Sequence, residues 1–264
     1  MGILNVTPDS FSDGGRHFDP EVAVAAGILM VADGADILDV GGESTRPGSN
    51  AVPAAEEIDR VAPVIKRLAA EVEVPISIDT RKGDVARAAL EAGASIVNDV
   101  SAGEHDPRIL NVVRDFGAGC VLMHMRGEPN TMTELTDYDD VVAEVRGYLR
   151  RRMDVAEEAG IAIDALAIDP GLGFAKTTPQ SLLLMRETSM FLDLGRPLLV
   201  GPSRKSFIGH VLGTEVDERL EGTAAAVAYM AARGAHIVRV HDVKEMVRVV
   251  RVVDAITHAD RADG

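Results

Sequence analysis

The chain has 264 residues, of which 46% are hydrophobic and only 3% aromatic, and it carries a net charge of −15 at pH 7. That balance argues against nucleic acid as a partner, since phosphate contacts need a basic face, and no apolar run reaches the roughly 18 residues of a membrane span. Cys120 is the only cysteine, which excludes an internal disulfide; with no charged-then-apolar leader ahead of the first element, a cytoplasmic location is expected.

Short apolar runs alternate with helical stripes along the chain. Runs at Gly2–Asn5, Asp36–Val40, Pro75–Asp79, Ser95–Asn98, Gly119–His124, Ala165–Asp169, Pro197–Val200 and His236–His241 have the length and composition of strands buried on both faces. After the first comes Asp19-Pro20, an N-cap followed by proline at the first helical position. The stripe Val22, Ala25, Ala26, Leu29 and Met30 is expected to face the core behind it. The next stripe is Ile58, Val61, Ile65 and Leu68, where Pro63 predicts a kink or the true start of the helix. Further helices are expected at Gly83–Glu91, Pro107–Phe116, Tyr138–Ala159, Pro179–Glu187, Ser203–Leu212 with Asp217–Arg233, and Val243–Thr257. Gly34, Gly93, Gly160 and Gly234 end several of them.

Eight strand–helix alternations with no linker or composition shift predict an α/β chain with one domain over residues 1–264. A closed (β/α)8 barrel fits them better than an open doubly wound sheet. Aromatics are scarce, so Ala, Val, Leu and Ile must fill the core. Cys120, inside the apolar run Gly119–Met123, is expected to be a buried, inert thiol. Because the first strand begins almost at Met1, the segment that usually closes a barrel bottom is expected to be absent or trimmed.

Barrel active sites lie at the C-terminal ends of the strands. Here those ends read Asn5 with the run Val6–Gly15, Gly41–Gly48, Asp79-Thr80-Arg81, Asn98-Asp99, Met123-His124, Asp169-Pro170-Gly171, Gly201–Ser206, and Arg239 with His241. Taken singly, each has a plain alternative: Asp79 or Ser203 as a helix N-cap, Gly14-Gly15 as a turn, Arg239 and His241 as a solvated edge. Their convergence on one rim favours a site. Asp79, Asn98 and Asp169 offer acceptors suited to a flat heterocycle rich in N–H groups. Lys205, Arg239 and His241 supply cationic donors for anionic oxygens, and Ser206 lies near a helix start where backbone N–H groups favour an anion. A substrate with both a ring edge and an anionic part is expected. Rival motifs fail: there is no P-loop and no zinc spacing, and Gly171-Leu172-Gly173 lacks the third glycine of a dinucleotide site. Strand six ends in Asp169 rather than a Schiff-base lysine.

The segments Asn5–Gly15, Gly41–Gly48, Ser77–Thr80, Asn98–Val100, Asp169–Lys176, Ser203–Ser206 and Arg239–Asp242 together resemble the dihydropteroate synthases, pterin-binding barrel enzymes of folate biosynthesis. The resemblance spans nearly the whole chain, in the expected order. It implies condensation of 6-hydroxymethyl-7,8-dihydropterin pyrophosphate with p-aminobenzoate. It implies a pterin ring held by Asp79, Asn98, Asp169 and Lys205, between the Arg239 guanidinium and apolar neighbours such as Met123. Pyrophosphate would meet Asn5, Arg239 and His241, with Mg2+ bridging Asn5 and phosphate oxygens. The p-aminobenzoate would lie against Phe11, Pro47 and Phe174 with its carboxylate at Ser206, beside the loop that carries Thr45 and Arg46. Loops Val6–Gly15 and Glu43–Gly48 would close over both substrates. Pyrophosphate would leave first, helped by Arg239 and His241, and Asp13 would stabilise the resulting cation; with Lys205 these residues make up the implied catalytic set. A homodimer is implied as well. The alternatives are a pterin-dependent methyltransferase barrel with a corrinoid partner, which has no use for Arg46, Ser206 and His241, and a non-catalytic pterin-binding barrel, which need not keep the first two loops.

Overall fold

A computed structural model describes residues 1–7, 20–45, 48–49 and 51–259. Its strands are β1 (Gly2–Asn5), β2 (Leu38–Gly41), β3 (Ile76–Asp79), β4 (Ile96–Asp99), β5 (Gly119–Met123), β6 (Leu166–Asp169), β7 (Leu199–Val200) and β8 (Ile237–Val238). The helices between and after them are α1 (Pro20–Ala32), α2 (Ala54–Glu71), α3 (Gly83–Ala92), α4 (Arg108–Phe116), α5 (Val141–Glu158), α6 (Thr178–Arg186), α7 (Ser206–Leu212), α8 (Leu220–Ala232) and α9 (Val243–Thr257). Strands β1 to β6 pair in chain order, and β7 pairs with β8. All the pairings are parallel. Two single parallel bridges, Gly2 to Val240 and Ile168 to Leu198, join the two sheets into a ring. Backbone bonds from Ile3 N to Val240 O and from Ile168 N to Pro197 O, both 2.9 Å, reinforce those junctions. The expected barrel forms.

Strand alternation sorts the side chains into an outer and an inner set. Leu38, Val40, Ile78, Val97, Leu122 and Ile168 belong to the main buried core. A separate cluster gathers Met1, Val121 and Leu199 with Ile37, Ile96, Ala167 and Ile237, from the N-terminal parts of the strands. Two residues further along the same faces come Asp39, Asn98, Met123, Asp169 and Arg239. The barrel interior is thus apolar at one end and turns polar within one layer, towards the strands' C-terminal ends.

Several local expectations are corrected. Helix α1 buries Ala23, Val24 and Gly27, whereas Val22 is 49% and Leu29 61% exposed. A Cβ at Gly27 would lie 2.8 Å from Leu68 Cδ2, so the helix docks on its smallest residues against α2. A helix apolar all round carries no stripe from which that choice is readable. Helix α2 starts at Ala54 rather than at Pro63, which lies exposed within it. The glycines expected at helix ends, Gly34, Gly93, Gly160 and Gly234, all have positive φ. Cys120 is buried, and burial pushes its thiol far above the usual range. No helix among the described residues is long and apolar enough to cross a membrane.

Candidate active site

Arg239 links the inner faces of β2 and β3. Its Nε donates to Asp39 Oδ2 at 2.5 Å and its Nη2 to Asp79 Oδ2 at 2.7 Å. Asn98 Nδ2 donates to the same Asp39 oxygen at 3.0 Å. Burial pushes the Asp79 carboxyl up to about 7; Arg239 pulls against this rise, and Asp39 adds to it. Burial also raises the Asp169 carboxyl, to about 6, against the Gly171 N–H that donates to it at 2.7 Å and the charges of Lys205, Lys176 and Arg239. For Arg239 burial works against the charge, but Asp39 and Asp79 outweigh it and keep the guanidinium protonated. Asp79 Oδ1 and Asp39 Oδ1 are buried with no hydrogen-bond partner among the described residues. Desolvated acids titrating near neutrality, with oxygens to spare, characterise a site built for a donor-rich ligand.

The loop after β6 is held by close contacts. Gly171 has φ +68°, and a Cβ there would stand 2.0 Å from the carbonyl oxygen of His124, so only glycine lets the loop cross the end of β5. Ala175 also takes a left-handed φ, +50°, which a non-glycine residue holds only where its surroundings over-determine it. The constraint comes from Lys176. Its buried Nζ donates to Phe174 O at 2.8 Å and lies 3.0 Å from His124 Nδ1. Burial first, and the lysine charge second, push His124 down to about 2, so the imidazole is neutral and Nδ1 accepts. Phe174 is thereby placed in one apolar cluster with Met123 and Val100, its ring 4.1 Å from Lys205 Nζ.

The loops after β7 and β8 are joined twice. Ser203 Oγ accepts from the His241 backbone N–H at 3.1 Å and lies 3.0 Å from His241 Nδ1. Arg204, at φ +57°, donates to both Asp242 oxygens, at 3.1 and 2.5 Å. Lys205 and His241 are therefore fixed relative to one another. The loop after β2 rests on a charged base. Glu43 pairs with Arg81 at 3.6 Å and with Lys82, Lys82 also pairs with buried Glu57 at 2.5 Å, and Arg81 reaches Glu128.

Asn5, Asp79, Asn98, Met123, Asp169, Phe174, Lys205, Arg239 and His241 all lie at or just beyond the C-terminal strand ends. Thr45 is half-buried at the rim, and Ser206 is exposed as the first residue of α7. Phe11, Asp13, Arg46 and Pro47 lie outside the described residues. Asp79 and Ser203 do not serve as helix caps, because α3 is capped at Lys82 and α7 at Lys205. Arg239 lies one residue past regular β8, yet its N–H still donates to Val200 O at 2.9 Å, so it emerges in strand-like register. Sequence reasoning missed Asp39. The signal was a carboxylate in the middle of an apolar strand, on the face shared with Ile37 and Gly41. It also gave Lys176 no role.

Residues 1–241 match the family described as pterin binding enzyme. The dihydropteroate synthase of Synechocystis sp. is 48% identical over 257 residues, covering 97% of this chain and 89% of that protein. The chain belongs to the dihydropteroate synthase family of pterin-binding enzymes. Among solved members, the dihydropteroate synthase of Xanthomonas albilineans with 4-aminobenzoic acid superposes with a TM-score of 0.91 at 49% identity, covering 97% of this chain and 92% of that one. The same organism's enzyme in complex with 7,8-dihydropteroate gives 0.87 at 46% identity, over 97% and 92%. Family members are thus similar to this chain through the whole barrel, and the polar layer described above occupies the C-terminal strand ends of that shared fold.

Proposed function

We propose that the chain condenses 6-hydroxymethyl-7,8-dihydropterin pyrophosphate with p-aminobenzoate, releasing pyrophosphate and 7,8-dihydropteroate, and that the barrel mouth carries out this transfer. The observation that carries the assignment of the site is the row of buried acceptors, Asp79, Asn98 and Asp169, beside the cations Arg239 and Lys205. Asp79 and Asp169 take the N–H edge of the pterin, Asn98 contributes an amide oxygen, and Lys205 donates to the ring's acceptors. Met123 packs one ring face and the Arg239 guanidinium the other. Asn5, Arg239 and His241 meet the pyrophosphate. Phe174, Phe11 and Pro47 flank p-aminobenzoate, with Ser206 at its carboxylate and Thr45 and Arg46 in the covering loop.

The bond from the pterin's exocyclic carbon to the pyrophosphate oxygen breaks first, and its electron pair leaves with the pyrophosphate. Arg239 and His241 stabilise that developing charge, and Asp13 the cation left on the dihydropterin. The lone pair of the p-aminobenzoate nitrogen then forms the C–N bond, and the nitrogen loses a proton. Mg2+ fits the donors present: Asn5 offers one neutral oxygen, and the described residues hold no group of three His, Cys, Asp or Glu suited to a metal. An ion there would take most of its ligands from substrate and water, and when bound would neutralise pyrophosphate oxygens. A cytoplasmic homodimer completes the reading; exposed Val211, Leu212, Leu220 and Tyr229 on α7 and α8 supply apolar surface for a second copy. Purified protein with the pterin pyrophosphate, p-aminobenzoate and Mg2+ should yield dihydropteroate and pyrophosphate in equal amounts. Folded protein that makes neither would overturn the proposal.

A further inference from the structure

We infer that Asp39 is a positioning residue that presets Arg239 and Asn98 for the pterin substrate. The inference rests on the roles proposed above for those two residues. Asp39 is fully buried in the middle of β2. A carboxylate there is expensive to desolvate, and a well-packed apolar side chain is often the more stable choice in such a place. Its partners supply the reason for its presence.

An ionised carboxylate only accepts hydrogen bonds. Asn98, facing it at 3.0 Å, must therefore turn Nδ2 towards Asp39. That choice, which shape alone leaves open, keeps Asn98 Oδ1 as the acceptor for a ring N–H. Arg239 is pinned at two points, Nε on Asp39 and Nη2 on Asp79. Its plane is thereby set, and neither bond uses Nη1, which is the donor this reading gives to an anionic oxygen. One oxygen, Asp39 Oδ2, serves both partners. The ring acceptor and the anion donor are thus oriented from a single point beneath the site, by a residue that need not touch either substrate group.

The test is calorimetric titration with 6-hydroxymethylpterin, a probe for the ring alone. The proteins compared are wild type, Asp39→Asn, Asn98→Ala, and the double variant Asp39→Asn with Asn98→Asp. Asp39→Asn should weaken ring binding about tenfold to a hundredfold, the usual effect of losing a charged hydrogen bond in a closed site. The double variant reverses the polarity of the 39–98 pair alone: the amide at 39 donates to the carboxylate at 98, which again offers the ring an acceptor, while the bond from Arg239 Nε is not restored. It should recover the part of the affinity that passes through residue 98, which a merely structural role would not restore. Wild-type affinity in folded Asp39→Asn, or no recovery in the double variant, overturns the inference. If Asn98→Ala binds the ring like wild type, the reading of Asn98 itself has failed. If Asn98→Ala loses affinity and Asp39→Asn keeps it, the positioning role alone has failed. Should the variants not fold, the Arg239 Nε–H resonance of the wild-type protein decides. It should be sharp and slow to exchange before any pterin is added, and a resonance that appears only with pterin overturns presetting.

Discussion

Arg239 Nη2 and Asp79 Oδ2 meet at 2.7 Å, tying the end of β8 to the end of β3. The pair joins the cation proposed to meet pyrophosphate to the carboxylate proposed to meet the pterin ring. On that proposal, either substrate half binds next to a group that the other half needs.

If the acids at the mouth hold the pterin as proposed, its binding should depend on pH. Asp79 and Asp169 sit at about 7 and about 6, above the ordinary 3.8, with burial as the main cause. Each must be ionised to accept from ring N–H groups, so affinity for 6-hydroxymethylpterin should rise from pH 5 to pH 7.5. Titrations giving the same affinity across that range would remove both acids from the ring site. The stability of the free protein should move the other way. A carboxyl whose folded pKa is raised contributes stability below about pH 4, and loses it as pH climbs to the folded value. The free protein should therefore melt lower at pH 7.5 than this contribution allows at pH 4.5, and saturating pterin should narrow the difference.

Gly171→Ala should be severe although the added group is one methyl. It would combine a left-handed φ of +68° with a Cβ placed 2.0 Å from the His124 carbonyl oxygen. A loss of roughly 2–4 kcal/mol is expected, together with displacement of Asp169, which accepts from the Gly171 N–H. Urea denaturation and pterin titration of the same sample check the two effects; a variant as stable as wild type would mean that the loop relaxes freely.

Lys176→Met keeps much of the side-chain volume but removes the donor shared by Phe174 O and His124 Nδ1. Leaving those acceptors buried should lower stability by about 1–3 kcal/mol. Loosening Phe174 should also raise the KM for p-aminobenzoate more than that for the pterin pyrophosphate. Equal changes in both constants would separate Lys176 from the p-aminobenzoate side.

Ser206→Ala and Asp13→Ala should act on different steps. Ser206, exposed at the start of α7, is proposed to meet only the p-aminobenzoate carboxylate, so its loss should raise that KM several-fold with kcat nearly unchanged. Asp13 is proposed to act on the developing cation, so its loss should fall mainly on kcat, by about tenfold or more. Steady-state kinetics alongside melting curves distinguish this from a turn role, under which Asp13→Ala would melt lower and keep a near-wild-type kcat.

The alternation of eight strands and their helices was legible because a strand buried on both faces must be apolar throughout, and that pattern is local. The rim residues Asp79, Asn98, Asp169 and Arg239 were legible for a related reason. A polar side chain ending an apolar run stands out once the C-terminal end of a barrel is known to carry the site. What could not be read from the chain was which side chain holds which. The buried face of α1 was decided by how closely Gly27 lets α2 approach, and the role of Lys176 by a histidine 52 residues away. Asp39 and Arg239 are separated by 200 residues. Composition and periodicity determine which residues are buried and where the chain turns, because those depend on neighbours within a few positions. Only the closed ring of strands sets the partners of a buried charge, because a desolvated carboxylate takes whichever donors the fold brings within hydrogen-bond reach.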